Sequence, residues 1–329
     1  NAVLYRDLGN SLDELRASQE SREFVQNAFG SYLSPVVVEQ IIENPEMVQE
    51  RGGEERIMTA LFSDIADFST ISETLTPNEL VDFINLYLTE MCEIIERHGG
   101  TIDKFEGDAV VAFFGAPIYF DNHASRAVLA CIEQQQRIQS LRQEWKASDA
   151  LPGKLRRMAD RWATEGKTFM HVRMGLASGP MVVGNMGSKT RADYTMMGDT
   201  VNLASRLEGL QKYYGTSIAI NDSIYELVNG EIEARKLDDV QVVGKTESVA
   251  VYEVLGTRGS LKDNERASLV LYQEGLSAYA EYRFSTARHM FEEALRLSPN
   301  DGPAAVYAER CREYELEPPG YLVYRMAHK

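Results

Sequence analysis

The sequence predicts an α+β protein whose central part is a ferredoxin-like (split βαβ) domain. Over residues 56–256, strand-like and helix-like segments follow one another in the order strand, helix, strand, strand, helix, strand, with further elements at the end. The middle two strands are joined at Glu106-Gly107, which is short enough for a hairpin. Helical patterns on both sides divide the chain into three parts: a helical and linker region at 1–55, the central domain at 56–256, and a helical tail at 264–329.

The charge composition argues against a protein that binds nucleic acid. The chain has 329 residues with 34 basic and 50 acidic side chains, which gives a formal net charge of −16. An acidic surface repels nucleic acid, because non-specific binding depends on Lys and Arg at phosphates. A nucleotide phosphate bound to this chain would therefore need local cations or metal ions.

Cysteine usage and hydropathy indicate a cytoplasmic setting. Cys92, Cys131 and Cys311 are scattered, so neither a disulfide framework nor a zinc spacing is visible. The longest apolar run contains Gly and Pro and is shorter than the about 20 residues of a membrane-spanning helix. We expect a cytoplasmic protein, or the cytosolic part of a membrane-anchored protein with an upstream sensor.

The first elements have recognisable boundaries. Residues 1–50 carry a mixed helical pattern, for which a coiled coil and helix packing on a neighbouring domain both stay open. The segment 50–55 predicts a linker, and the apolar segment 57–62 predicts a strand that ends at Ser63-Asp64. A capping box at 76–79, with Pro at the first helical position, opens a helix that Gly99-Gly100 ends.

The hairpin at 101–115 comes next and is followed by a regular series of elements. The pattern predicts a helix at 121–145, a polar insertion up to 167, a strand at 170–178, a hairpin around 185–188, a strand at 192–197, a helix at 200–213, a short strand at 218–220, a helix at 222–228, and strands at 233–243 and 249–254.

The tail has the residue spacing of one tetratricopeptide-like repeat, two antiparallel helices with small residues where they cross. The residues that carry this spacing are Gly275, Ala287, Phe291, Ala294 and Pro299. One repeat cannot bury its own apolar face, so we expect a capping helix near 302–314 and contact with the central domain.

Two aspartates are the first candidates for chemistry. Asp64 closes the first strand and Asp108 opens the third, and these strands are neighbours in a split βαβ sheet. A carboxylate at the start of a buried strand is costly unless it is paired or binds a metal. Two carboxylates together with phosphate oxygens suit Mg²⁺. The alternative is a pair of turn or helix-capping aspartates.

The helix that starts near Thr200 carries a second group. Asn202 and Arg206 are four residues apart, so they lie on one face of the helix. A guanidinium suits the charge that develops on a phosphoryl centre, and an amide can orient a sugar oxygen. The alternative is a surface arginine paired with Glu208 or another acid.

Three motifs together resemble the catalytic domain of the class III nucleotide cyclases. They are Phe62-Ser63-Asp64-Ile65, Lys104-Phe105-Glu106-Gly107-Asp108, and the stretch from Tyr194 to Arg206. The motifs occur in the order of the family, and the resemblance covers roughly residues 56–255. The segment 29–43 and the tail also resemble flanks of bacterial members.

The resemblance implies an adenylate cyclase, in which the 3′-hydroxyl of ATP attacks the α-phosphate to give cyclic AMP and pyrophosphate. Asp64 and Asp108 would bind two Mg²⁺ (or Mn²⁺) ions, with the Ile65 carbonyl as a further ligand. Asn202 would orient the ribose, and Arg206 would stabilise the transition state.

Lys104 and Thr195 match the positions that select the base in this family, and the pair implies ATP. An ammonium group can only donate hydrogen bonds, which suits the adenine N1 acceptor. The Thr hydroxyl can accept from the adenine amino group but is less discriminating than a carboxylate, so we expect some use of GTP. Lys245 would match a lysine at the terminal phosphates, although Val243 stands where Lys is frequent.

The family arrangement implies a head-to-tail homodimer with shared sites, since Lys104, Thr195, Asn202 and Arg206 would act on ATP held by the metals of the other subunit. The hairpin at 186–191 is either an arm across that interface or a plain surface turn. The Lys and Thr pair also suggests a response to bicarbonate.

Two alternatives stay open: a catalytically silent dimerisation or relay domain, opposed by the intact site residues, and a guanylate cyclase, opposed by Lys104.

Overall fold

The computed structural model describes residues 52–147, 152–188, 192–241 and 248–325. The predictions for 1–51, for the tip of the hairpin at 189–191 and for Lys245 lie outside these ranges.

One mixed sheet organises the described part of the chain. Its strands are β1 Gly52–Ile65, β2 Thr101–Glu106, β3 Ala109–Phe114, β4 Val172–Gly187, β5 Ala192–Met197, β6 Ile218–Asn221, β7 Ile232–Gln241, β8 Ser248–Thr257 and β9 Tyr324–Arg325. They lie in the order β2-β3-β1-β4-β6-β8-β7-β9, and β5 pairs with β4 beside this path. The first four positions are the sheet order of a split βαβ domain, so the predicted fold class is confirmed.

The helices occupy both faces of this sheet. They are α1 Phe68–Thr74, α2 Pro77–Arg97, α3 His123–Ala147, α4 Gly153–Thr164, α5 Asp199–Tyr214, α6 Asp222–Val228, α7 Asp263–Ala280, α8 Phe284–Leu297 and α9 Gly302–Leu316. In the described ranges, none of these helices is long and apolar enough to cross a membrane.

The capping box that opens α2 is formed as the sequence predicts. The hydroxyl oxygen of Thr76 accepts from the backbone N–H of Glu79, and the Glu79 carboxylate accepts from the backbone N–H of Thr76. Both bonds satisfy N–H groups that have no partner inside the helix.

Alternation along β1 separates two apolar layers. Leu61 belongs to a cluster that α2, α3 and α4 cover, whereas its neighbour Ala60 packs in a cluster with Ala204 of α5. Successive side chains of a strand point to opposite faces, so one strand serves both layers. The sheet is thus a central layer that holds α5 against the face opposite α2.

The beginning of β1 differs from the prediction. Residues 52–55 were expected in a linker, but they pair with 182–185 of β4 in one continuous antiparallel ladder. The linker prediction is therefore wrong for these four residues. Glycines on both strands permit this close approach: a Cβ on Gly184 would lie 2.2 Å from the carbonyl oxygen of Gly52, and a Cβ on Gly53 would lie 2.5 Å from Cγ1 of Val182.

The structure contains one helix that the sequence did not predict and one strand that is longer than predicted. The polar insertion contains α4, whose Leu155, Met158 and Trp162 are buried in the apolar cluster that includes residues of α2 and α3. The strand predicted at 170–178 continues through Pro180 as far as Gly187. A long partner strand on one side keeps β4 extended where local turn signals predict a break.

The helical tail is present, and it packs on the central domain. Gly275 of α7 lies against the ring of Phe291 in α8, where a Cβ would come within 2.8 Å of a ring carbon. Small residues at such a crossing let the two helices approach closely. Leu207, Leu210 and Tyr214 of α5 belong to the same apolar cluster as these helices. Assignment of the tail as a tetratricopeptide-like repeat stays a prediction.

A buried arginine joins the tail to the central domain. Arg310 of α9 donates to the Asp238 carboxylate at 2.6 Å and to the Tyr214 hydroxyl at 2.9 Å. The Tyr214 hydroxyl in turn donates to Asp238 at 2.6 Å. The Arg310 and Asp238 side chains are 10% and 4% exposed, so each depends on the other for its charge partner.

We expect Arg310→Ala to lower the free energy of unfolding by about 3 kcal/mol, because it leaves the Asp238 carboxylate buried without a cation. Chemical denaturation of the two proteins measures this difference. Arg312→Ala is the matched control on the same helix, since the Arg312 ion pairs are exposed, and we expect a change within about 0.5 kcal/mol. Equal effects of the two changes would contradict the assignment.

Candidate active site

The register of two strands brings the two candidate aspartates together. β1 and β3 are antiparallel, with Ser63 opposite Val110, so the end of β1 lies beside the turn that precedes β3. The backbone N–H of Ile65 donates to Oδ2 of Asp108 at 3.0 Å. Asp108 is 9% exposed, and its neighbour Gly107 has a positive φ of 70° that closes the turn.

The pKa of Asp108 is raised in this pair of aspartates. Burial, together with the hydrogen bond and the charge of Asp64, raises the pKa of Asp108 to about 7, although the Ile65 N–H opposes the shift. Two acids that share a site cannot both ionise freely without added positive charge. The carboxylates therefore need a cation or a shared proton.

Arg173 of β4 supplies one positive charge, and the sequence analysis missed it. Its Nη2 donates to Oδ2 of Asp64 at 2.7 Å, and its Nε lies 2.8 Å from Oε1 of Glu208 on α5. Burial raises the pKa of Glu208, and Arg173 opposes that shift. The signal in the sequence is a charged residue inside an otherwise apolar strand, which predicts a partner but not its identity.

The oxygen ligands available here fit a hard divalent cation. Two carboxylates and a neighbouring backbone carbonyl are oxygen donors of the kind that Mg²⁺ accepts, and burial and the neighbouring Asp64 raise the pKa of Asp108. The described ranges contain no group of three or more His, Cys, Asp or Glu residues placed to hold a metal. A cation bound by this pair would complete its coordination with further oxygens from water or from a phosphate ligand.

The two candidate base-selecting residues meet at an acid that sequence reasoning did not single out. Thr195 of β5 donates its hydroxyl hydrogen to Oδ2 of Asp103 at 2.8 Å, and Nζ of Lys104 lies 3.6 Å from the same oxygen. The Asp103 side chain is only 3% exposed, whereas that of Lys104 is 46% exposed. Burial raises the pKa of Asp103, and both partners oppose the shift.

Helix α5 presents the remaining candidates. It begins directly after Gly198, whose φ of 142° ends β5 sharply. Asn202 is exposed and Arg206 is half-buried. The alternative pairing of Arg206 with Glu208 is not seen: Glu208 lies against Arg173, and within the described ranges Arg206 forms no ion pair. The Arg206 guanidinium is available for a ligand or a partner chain.

The candidate residues thus fall into separate groups within one chain. No hydrogen bond or ion pair between described residues joins the Asp64 and Asp108 pair to the group of Asp103, Lys104 and Thr195.

Together, the split βαβ sheet and the two carboxylates that meet at one strand end define a ferredoxin-like α+β domain with a paired-carboxylate site. The family follows from comparison with known proteins. The sequence profile described as Adenylate and Guanylate cyclase catalytic domain matches residues 53–256. The chain belongs to this family, and the predicted class III cyclase domain is confirmed.

Two curated relatives are similar over most of this chain. Adenylate cyclase 1 of Rhizobium meliloti (strain 1021) is 32% identical over 237 residues, covering 72% of this chain and 33% of the relative. The adenylate cyclase of Anabaena cylindrica is 35% identical over 251 residues, covering 74% and 44%. The chain therefore spans less than half of the length of either relative.

Two solved structures of adenylyl cyclases are also similar to this chain. The adenylyl cyclase CyaB from P. aeruginosa is 35% identical, with a TM-score of 0.54, and the match covers 64% of this chain and 100% of that one. A bacterial light-regulated adenylyl cyclase, 23% identical with a TM-score of 0.58, covers 76% and 67% and shares the fold.

Proposed function

We propose that this chain is an adenylate cyclase that converts ATP to cyclic AMP and pyrophosphate. The observation that carries the proposal is the convergence of Asp64 and Asp108, with a raised Asp108 pKa, inside a domain of the cyclase family. The names of the relatives from Rhizobium meliloti and Anabaena cylindrica support ATP as the substrate.

Asp64, Asp108 and the Ile65 carbonyl would hold two Mg²⁺ (or Mn²⁺) ions. When bound, divalent cations lower the pKa of the attacking 3′-hydroxyl and neutralise charge on the leaving pyrophosphate. Arg173 keeps Asp64 oriented through its 2.7 Å hydrogen bond, and the Ile65 N–H does the same for Asp108 at 3.0 Å. This half of the site fixes the triphosphate and the reacting oxygen.

Asn202 and Arg206 would form the half that acts on the reacting phosphate. Their spacing of one helical turn lets the amide orient the ribose while the guanidinium approaches the α-phosphate. The charge that builds on the equatorial oxygens in the transition state favours a fixed guanidinium over a mobile ammonium. The absence of an Arg206 ion pair among the described residues supports this role.

Lys104 and Thr195 would read the base. The Lys104 ammonium donates a hydrogen bond to adenine N1. In guanine the N1 nitrogen carries a hydrogen, so it cannot accept this bond. Lys104 and Thr195 share a carboxylate oxygen of Asp103, so they lie together on one patch of surface. This arrangement favours ATP over the alternative substrate GTP.

We further propose that two chains assemble head to tail and that each site takes residues from both. No bond joins the carboxylate pair to the base-reading group among the described residues, which agrees with two halves that meet only across an interface. Contact of Lys245 with the terminal phosphates, a response to bicarbonate, and control by an upstream sensor remain parts of this proposal.

Product analysis tests the proposed activity. The purified chain is incubated with ATP or GTP and with Mg²⁺ or Mn²⁺, and the nucleotides are separated by chromatography. We expect cyclic AMP and pyrophosphate from ATP, with slower conversion of GTP. A folded chain that forms no cyclic nucleotide with either metal would favour the silent relay domain, and dominant cyclic GMP would favour a guanylate cyclase.

A further inference from the structure

The acid between the two base-reading residues has a chemical consequence for base selection. A threonine hydroxyl has a single hydrogen, and the Thr195 hydroxyl donates it to Oδ2 of Asp103 at 2.8 Å. Once that hydrogen is committed, the oxygen has only lone pairs for other partners, so it can accept but not donate. A threonine hydroxyl without such an acceptor beside it could rotate, and it could then either donate or accept a hydrogen bond.

The backbone of β2 explains how one acid reaches both residues. Adjacent residues of a regular strand point to opposite faces of the sheet. The pairing of β2 with β3 shifts between Ile102, opposite Ala112, and Lys104, opposite Val111, which leaves Asp103 as an extra residue in a β-bulge. A bulge redirects side chains, and here it brings the Asp103 carboxylate and the Lys104 ammonium to 3.6 Å.

The resulting pattern is one fixed donor beside one fixed acceptor. The Lys104 ammonium donates and the Thr195 oxygen accepts. Adenine presents the complement, an N1 acceptor and an amino donor at C6, whereas guanine presents an N1–H donor and a carbonyl acceptor at C6. Guanine would therefore place donor against donor and acceptor against acceptor.

We propose that Asp103 is the positioning residue that makes this site selective for adenine, because it locks the Thr195 hydroxyl as an acceptor and holds Lys104 beside it. The proposal rests on the proposed adenylate cyclase function and replaces the expectation that a threonine discriminates weakly. Asp103 is itself almost fully enclosed, so it acts through its two neighbours and does not touch the nucleotide.

The first test is Asp103→Asn, which keeps the size of the side chain but removes the obligatory acceptor. An amide can turn its NH₂ toward Thr195, which frees the hydroxyl to donate to the guanine carbonyl. We expect the ratio of kcat/KM for ATP to that for GTP to fall about 10-fold or more, the value of one hydrogen bond. Glu106→Gln is the matched control: Glu106 is exposed on the same strand and its carboxylate pairs with no described residue, so the ratio should stay within about twofold.

Thr195→Val tests the same claim without altering Asp103. If Thr195 is purely an acceptor, its removal lowers kcat/KM for ATP about 10-fold and leaves the value for GTP unchanged or higher. Equal losses for both nucleotides would overturn the proposal. In the double variant, Asp103→Asn should change the ratio no further, whereas a merely structural role would add to the effect of Thr195→Val.

Equilibrium binding separates this inference from the proposed activity. The Kd values of Mg·ATP and Mg·GTP are measured by calorimetry for the same four proteins and the unchanged chain. A chain that binds ATP in preference to GTP but forms no cyclic product contradicts the proposed function and leaves the role of Asp103 testable by the Kd ratio. An unchanged ratio in Asp103→Asn, by kinetics and by binding, refutes the role of Asp103 alone.

Discussion

We expect replacement of Asp108 by alanine to lower cyclic AMP formation by at least about 10³-fold, which corresponds to about 4 kcal/mol in the activation barrier. Among the described residues, Asp108 and Asp64 are the carboxylates that meet at this strand end, so the loss of Asp108 halves the negative charge that this pair offers to a divalent cation. The measurement is kcat with saturating Mg²⁺ and ATP.

The matched variant Asp108→Asn distinguishes a metal ligand from a structural residue. The amide oxygen can still accept from the Ile65 N–H, so the local structure keeps its 3.0 Å hydrogen bond. Because the pKa of Asp108 is raised to about 7, the folded protein already disfavours the charged form, and the neutral amide should fold at least as stably. We expect Asp108→Asn to be as inactive as Asp108→Ala, and an active Asp108→Asn would show that the carboxylate is structural.

Arg206→Ala has the second largest expected effect, a loss of about 10²–10³ in kcat with little change in KM. The guanidinium is half-buried and forms no ion pair with a described residue, so folding places no demand on its charge. Removal of the guanidinium should therefore weaken transition-state stabilisation and leave the stability of the fold unchanged. Measurements of kcat and of the thermal unfolding midpoint on the same variant test both expectations.

Lys212→Ala provides the control for this change. Lys212 is exposed in the last turn of the same helix, so its loss alters the net charge equally and should leave kcat within about twofold. A similar loss of activity in both variants would point to long-range electrostatics in place of a specific role for Arg206.

The order of the elements could be predicted because it is a local property. The capping box at Thr76, the glycines after α2 and the apolar strand after Gly107 each mark a boundary in a few residues. The order of strands in a split βαβ domain then follows, and with it the proximity of Asp64 to Asp108.

The features that were missed depend on distant pairings. Residues 52–55 have linker composition and become a strand only because β4 continues far enough to pair with them. The partners of Arg173 lie 109 residues before it in β1 and on α5 after it, so no local pattern could name them. A β-bulge leaves no signature in composition, so the sequence did not single out Asp103 beside Lys104.

The central claim is that each catalytic site combines the carboxylates of one chain with Arg206 of another. Mixing inactive Asp108→Ala protein with inactive Arg206→Ala protein tests it most directly, since a mixed dimer has one site with both residues intact. If subunits exchange freely, about half of the dimers are mixed and about a quarter of the unchanged activity should return. Subunit exchange is followed by energy transfer between fluorescent labels on the two variants. Exchange without any recovery of cyclic AMP formation would contradict the shared-site account.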